Sequence, residues 1–132
     1  MNPEIIKFKT QVHQRGNGKS IIAQGYTQNK ADGRGGFFYH PENLDISIGE
    51  RDRIIYVSPD CRGHGLATKI GQKLIEIAYY LNLDPRPEFF SLSIFHQIGP
   101  MIRVAEKLGF WQYELLSTDT MFTYLKPFNP NT

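Results

Sequence analysis

Residues Ile54 to Leu81 read IIYVSPDCRGHGLATKIGQKLIEIAYYL, and the rest of the chain is read outward from them. Ile54, Ile55, Tyr56 and Val57 form a short β-branched and aromatic run, the composition of a buried strand. Ser58 and Pro59 end it, because proline cannot donate to a ladder. Arg62-Gly63-His64-Gly65-Leu66-Ala67 follows and opens a helix. Leu66, Ile70, Leu74, Ile77 and Leu81 recur at steps of four, four, three and four, which predicts a shared apolar face. Lys69, Gln72, Lys73 and Glu76 fall on the other side.

A strand feeding a glycine loop at a helix N-terminus is a place to bind an anion. The first turn leaves backbone N–H groups without partners, and the macrodipole adds partial positive charge. Gly63 and Gly65 let a phosphate approach the backbone, and Arg62 supplies a planar cationic fork. A plain strand–turn–helix joint, with glycines serving turn geometry alone, fits the same residues.

The spacing of Arg62, Gly65 and Ala67 carries a resemblance. A signature of Arg or Gln, two residues, Gly, one residue, then Gly or Ala is similar to the acetyl-CoA-binding core of the GCN5-related N-acetyltransferase (GNAT) superfamily, and Val57-Ser58-Pro59 stands where its strand ends. Val104-Ala105-Glu106-Lys107-Leu108-Gly109-Phe110 resembles the family's late helix and its turn into the next strand. The resemblance runs from about Ile54 to Lys126 and does not clearly include the first fifty residues.

It implies an α/β fold, a GNAT-like mixed but mostly antiparallel sheet flanked by helices, in one domain over 1–132. It implies acetyl-CoA as co-substrate, held by Tyr56, Val57, Arg62, Gly63, His64, Gly65, Leu66, Ala67 and Thr68. It implies an amine acceptor (a protein, peptide or small molecule) and no metal. The strand at Phe89–Phe95 becomes the one that splays from Ile54–Val57 to admit the pantetheine arm. The backbone N–H of Val57, beside Tyr56, becomes the donor to the thioester oxygen.

Acetyl transfer also needs a group to take the amine proton and one to protonate the leaving thiolate. The family's Glu, six residues before the Val, is Arg51 here, with Glu50 and Asp52 on either side. Its Tyr, four residues before the late Gly, is Ala105, and its helix-opening Asn is Ile98. The catalytic half of the signature is therefore displaced. Substitutes are His96, just after the splayed strand, whose ordinary pKa of ~6.5 suits proton transfer, and Tyr56, Tyr113 or Tyr124 from neighbouring strands. An ordinary loop histidine and core or rim tyrosines are the bland readings of the same residues. Proximity with water relay needs no side chain at all. A CoA-binding module that regulates or binds a partner, without strong catalysis, is the alternative function.

The remaining chain sets bounds. At 132 residues, with 40% hydrophobic and 13% aromatic residues, it has the size and composition of one globular domain. A net charge of +2 is too mild to argue for nucleic acid; that reading would need Lys30, Arg34, Arg51 and Arg53 to converge beside the acceptor cleft. One cysteine, Cys61, excludes a disulfide framework and has no spacing that supports a nucleophile. No apolar run approaches membrane-spanning length and no signal-peptide core is present, so a cytoplasmic protein is expected. Gly18-Lys19-Ser20 mimics the end of a phosphate-binding loop, but His13 stands where that motif needs glycine.

Residues 4–13 and 19–27 read as a hairpin around an Asn-Gly turn at Arg15–Gly18. Gln28 to Gly36 reads as a polar, glycine-rich loop with solvated Lys30 and Arg34, and Phe37–Tyr39 as a strand. Leu44, Ile46 and Ile48 alternate. No helical periodicity occurs before Arg53, so the N-terminal part is expected to be reduced or β-rich, leaving an open acceptor groove. Asn82–Pro87 reads as loop, Phe89–Phe95 as strand with Phe90, Leu92 and Ile94 on one face, and Pro100 onward as a helix capped by Gly109. Phe110–Leu115 and Thr120–Leu125 read as paired strands, and Phe128–Thr132 as a tail.

Overall fold

The computed structural model describes residues 7–27, 30–43, 45–48, 55–57, 65–95, 99–114, 117, 119 and 121–129. Ten elements occur among them: strands β1 (Lys7–Arg15), β2 (Gly18–Thr27), β3 (Lys30–Tyr39), β4 (Asp45–Ile48) and β5 (Ile55–Val57), helix α1 (Leu66–Tyr80), strand β6 (Phe89–Phe95), helix α2 (Gly99–Lys107), and strands β7 (Trp111–Gln112) and β8 (Met121–Pro127). One eight-stranded sheet runs in the order β1-β2-β3-β4-β6-β8-β7, with β5 paired to β3 off that path. The β4–β6 ladder is parallel and the others antiparallel. The expected mixed, mostly antiparallel α/β sheet with a β-rich N-terminal part is what the chain forms.

The register places the core on one face. Ile21 pairs with Phe37, Phe37 with Ile48, Ile46 with Phe90, and Leu92 with Tyr124. Each of these is buried, and each lies on the side that α1 and α2 cover, since a strand shows alternate residues to one face. The expected face of Phe90, Leu92 and Ile94 is fully buried there. The opposite face meets no helix among the described residues.

The loop expected at Gln28–Gly36 is instead most of β3. Its glycines belong to a strand because α1 lies close above it. A Cβ on Gly35 would stand 3.1 Å from both Ile70 Cγ2 and Leu74 Cδ1, and one on Gly25 of the paired strand 3.2 Å from Leu66 Cδ1. Ala23, Gly25, Gly33 and Gly35 thus form a shallow strip under the helix. The hairpin turn also shifts by one residue. Arg15 pairs with Gly18, so Gly16 and Asn17 form the loop. Gly16 has φ 60° and takes the first loop position, where a type II′ turn requires glycine.

Helix α1 starts where expected, but its buried face is broader. Leu66, Ile70 and Leu74 are joined by Gly71, Ile75 and Ala78, while Ile77 is half-buried. The cause is α2, which packs alongside: a Cβ on Gly71 would come within 2.5 Å of Leu108 Cδ1. Helix α2 ends as expected. Gly109 has φ 89°; its N–H donates to Glu106 O at 3.0 Å, and Phe110 N–H donates to Ala105 O at 3.0 Å. These two bonds make a Schellman cap.

Two strand boundaries differ from the reading. β7 is only Trp111–Gln112, although Tyr113 N–H still donates to Thr123 O at 2.8 Å. Phe128 is no free tail: its N–H donates to Glu88 O at 2.9 Å, and its ring meets Tyr79 and Phe90.

Three tyrosines tie the fold to pH. Tyr39 donates its hydroxyl to Pro85 O at 2.7 Å, and burial, with Asp84 nearby, raises its pKa. Burial also raises Tyr79, against smaller opposing effects of the Asn129 backbone and Arg86. Burial and Glu106 raise Tyr124. A group whose folded pKa is raised contributes stability that is full below its unfolded value of 10.0 and is lost as pH climbs through the folded values. Urea midpoints followed by circular dichroism should therefore hold steady up to about pH 10 and fall above it.

Candidate functional site: a split in the sheet beside a helix N-terminus

The outer edge of β3 carries two strands in succession. Phe37 and Phe38 pair with Ile48 and Ser47 of β4; Gly35, Arg34 and Gly33 pair with Ile55, Tyr56 and Val57 of β5. From Phe37 to Gly35, β3 advances two residues, while the chain opposite advances seven, from Ile48 to Ile55. Five additional residues are thus inserted between β4 and β5.

β6 reads this change. Phe89, Phe90 and Ser91 pair in parallel with Asp45, Ile46 and Ser47. Beyond Ser91, β6 continues beside β8 through Phe95, but among the described residues no ladder joins it to β5. Both β5 and the far half of β6 lie on the same side of β3, and among the described residues the pairing between the two sides ends at Ser47–Ser91. The missing β5–β6 ladder among the described residues is compatible with the splay that the family resemblance implies. Backbone amides lining such an opening need partners, and the amides of an extended ligand arm can supply them.

The open end leads to α1. Val57 pairs with Gly33, Gly33 with Gly25, and Gly25 lies against Leu66. The end of β5 and the first turn of α1 therefore stand at the same end of the sheet. Gly65 precedes the helix at φ 79°, ψ 10°, a left-handed conformation that suits glycine. Lys69 N–H donates to Gly65 O at 3.1 Å. Among the described residues no side chain caps this N-terminus, and no acidic residue stands in its first turn. The positive end of a fifteen-residue helix is thus left without a protein anion among the described groups.

The candidate residues sort accordingly. Val57, Gly65, Ala67 and Thr68 stand around the open end; Ala67 and Thr68 are half-buried and Gly65 is exposed. Leu66 is buried under the helix, so it can meet a ligand only through its backbone. The backbone of Tyr56 lies in β5 opposite Arg34. Arg62, Gly63 and His64, the catalytic candidates His96 and Glu50, and the motif neighbours Arg51, Asp52 and Ile98 lie outside the described residues. Ala105 is fully buried, so the late helix has no hydroxyl at the position of the family's tyrosine. Tyr124 is close by: it pairs across to Leu92 of β6 and feels Glu106, the residue after Ala105. Tyr113 is exposed on the far edge. Of the four cations considered for nucleic acid, Arg34 is exposed, and Arg51 and Arg53 fall outside the described residues.

One pair escaped the sequence. Ser91 Oγ donates to Asp45 Oδ2 at 2.7 Å, on the helix-free face where the split closes. Asp45 sat in an ambiguous segment, and nothing local linked it to Ser91.

No protein-family model matches the sequence, and no curated protein matches it. Solved structures do match its fold. The GNAT domain of S. lividans PAT is similar at a TM-score of 0.67 and 11% identity, over 82% of this chain and 60% of that one. An N-acetyltransferase from Staphylococcus aureus Mu50 is similar at 0.64 and 16%, over 83% and 68%. RimL, a ribosomal L7/L12 α-N-protein acetyltransferase solved with coenzyme A, is similar at 0.64 and 15%, over 82% and 62%. The chain thus has the GNAT fold, in a length that spans 60% to 68% of these three proteins.

Proposed function

We propose that this protein is a GNAT-type N-acetyltransferase that moves an acetyl group from acetyl-CoA to a primary amine. One observation carries the reading: among the described residues β5 and β6 do not pair, and β5 ends at the same end of the sheet as the N-terminus of α1, where no described side chain caps the helix. An acyl-pantetheine arm suits the split, and a pyrophosphate suits the helix end with Arg62. The geometry fits the co-substrate without help from catalytic side chains.

In the reaction the amine nitrogen attacks the thioester carbonyl. The new N–C bond forms as the C–S bond breaks, the nitrogen gives up a proton, and the CoA thiolate takes one. The Val57 backbone is the candidate donor to the carbonyl oxygen. His96, Tyr56 and Glu50 are the candidate proton carriers from the sequence; Tyr124 is the described side chain with a hydroxyl beside α2. A phenol is protonated at neutral pH, as an acid for the departing sulfur must be. Tyr124→Phe should lower kcat about a hundredfold with KM for acetyl-CoA unchanged. An unchanged kcat in steady-state assays would return Tyr124 to core packing.

A second reading has its own support in the buried Ala105. A domain lacking the late-helix hydroxyl can bind CoA and act as a regulator or partner-binding module. Thiol release from acetyl-CoA, measured across proteins, peptides and small amines, separates the two. Release with at least one acceptor supports the transferase; binding of acetyl-CoA with no release on any acceptor supports the module.

A further inference from the structure

β1 ends the strand order, and among the described residues nothing covers its outer edge. Residues Lys9 to Gln14 are exposed without interruption. The edge is long and regular: nine consecutive pairs join β1 to β2 with no register shift. It contains no proline or bulge, two of the devices by which edge strands avoid further pairing.

The turn tells which backbone groups face outward. In a two-residue hairpin the residues flanking the loop, Arg15 and Gly18, form a hydrogen-bonded pair, and bonded pairs then alternate along the ladder. His13, Gln11 and Lys9 therefore turn their N–H and C=O groups toward β2. Gln14, Val12, Thr10 and Phe8 turn theirs outward.

Charge selects what pairs there. Lys7, Lys9 and Arg15 stand in this strand with His13 and no acidic residue. A second copy paired antiparallel about Gln11 would bring Lys7 opposite Arg15, an unfavourable match of like charges. An extended acidic segment meets the same edge with opposite charge. We propose that β1 is a docking edge that takes an acidic, extended segment of another protein as a ninth strand. Main-chain bonds to Phe8, Thr10, Val12 and Gln14 supply the pairing, and cations on β1 select acidic residues at alternate positions.

The test uses a ten-residue peptide of alternating Glu and Val, with an alternating Lys and Val peptide as control, titrated into the full chain by calorimetry and amide NMR. The Glu peptide should bind and move the amides of Phe8 to Gln14, and the Lys peptide should not. Val12→Pro removes an outward N–H but no bond to β2, so it should weaken binding by about tenfold or more, with circular dichroism and acetyl-CoA affinity unchanged. Lys9→Glu combined with His13→Glu should transfer preference to the Lys peptide, a readout that holds even where Val12→Pro fails to fold. Equal binding of both peptides, absence of Glu-peptide binding, unaltered preference in the charge-reversed variant, or a wild-type dimer whose NMR interface is β1 would each overturn the proposal.

Discussion

Gly65→Val should bind acetyl-CoA more than about tenfold more weakly than the wild type, with the global fold intact. The position is unusual in having a conformational demand and no packing demand. Its φ of 79° belongs to a region that costs a β-branched residue of order 1–3 kcal/mol. Among the described residues, a Cβ there meets no protein atom within 4 Å. The substitution thus spares the core and acts on the backbone that delivers the first turn of α1 to a ligand, and it places a side chain where a phosphate must approach. Gly16 gives the control. It has φ 60°, equally empty surroundings, and lies in the β1–β2 turn. Gly16→Val imposes similar strain away from the split, so acetyl-CoA affinity measured by calorimetry should not change. Equal affinity losses in both variants would mean that strain alone, and not the helix end, governs binding.

Phe90→Ala should cost about 3–5 kcal/mol of stability, in the range of the largest core truncations. Phe90 is fully buried in β6 where the sheet is still closed. Its ring meets Tyr79 of α1 edge-on, with centroids 5.7 Å apart, and Phe128 at 5.1 Å; Tyr79 and Phe128 meet at 5.0 Å. Arg86 closes the group, its guanidinium 5.4 Å from the Phe128 ring and its Nη2 donating to Phe128 O at 3.2 Å. One ring therefore joins the helix, the central sheet and the C-terminal segment. Against a typical total of about 5–15 kcal/mol, its loss should remove a large share of the domain's stability. Urea denaturation is the measurement, with Tyr80→Ala as control. Tyr80 is 86% exposed, and its removal should shift stability by less than about 0.5 kcal/mol. Comparable midpoints for the two variants would contradict this account of the core.

The half of the chain around α1 was legible because its signals are local. β-Branched runs gave β5, alternation gave the buried face of β6, and Leu108-Gly109-Phe110 announced the cap that Gly109 makes. β3 was not legible, because the reason for its glycines is a helix more than thirty residues away in sequence. Gly35 reads as flexibility until Ile70 and Leu74 are placed above it. Gly71 was silent for the same reason. It carries no apolar signal, yet it marks where α1 admits Leu108. The splay of β5 from β6 came from family resemblance alone, since residue spacing does not encode which strands fail to pair. The proton carriers stayed open for a chemical reason: Arg51 and Ala105 stand where the familiar Glu and Tyr would be, and replacement groups need not share their positions.

Calorimetric titration of acetyl-CoA into the wild type and Arg62→Glu tests the central claim most directly. The account predicts one saturable site in the wild type, competed by free CoA, and strong loss of binding in Arg62→Glu, where a carboxylate replaces the proposed phosphate partner. Absence of wild-type binding, or equal affinity in Arg62→Glu, would contradict it.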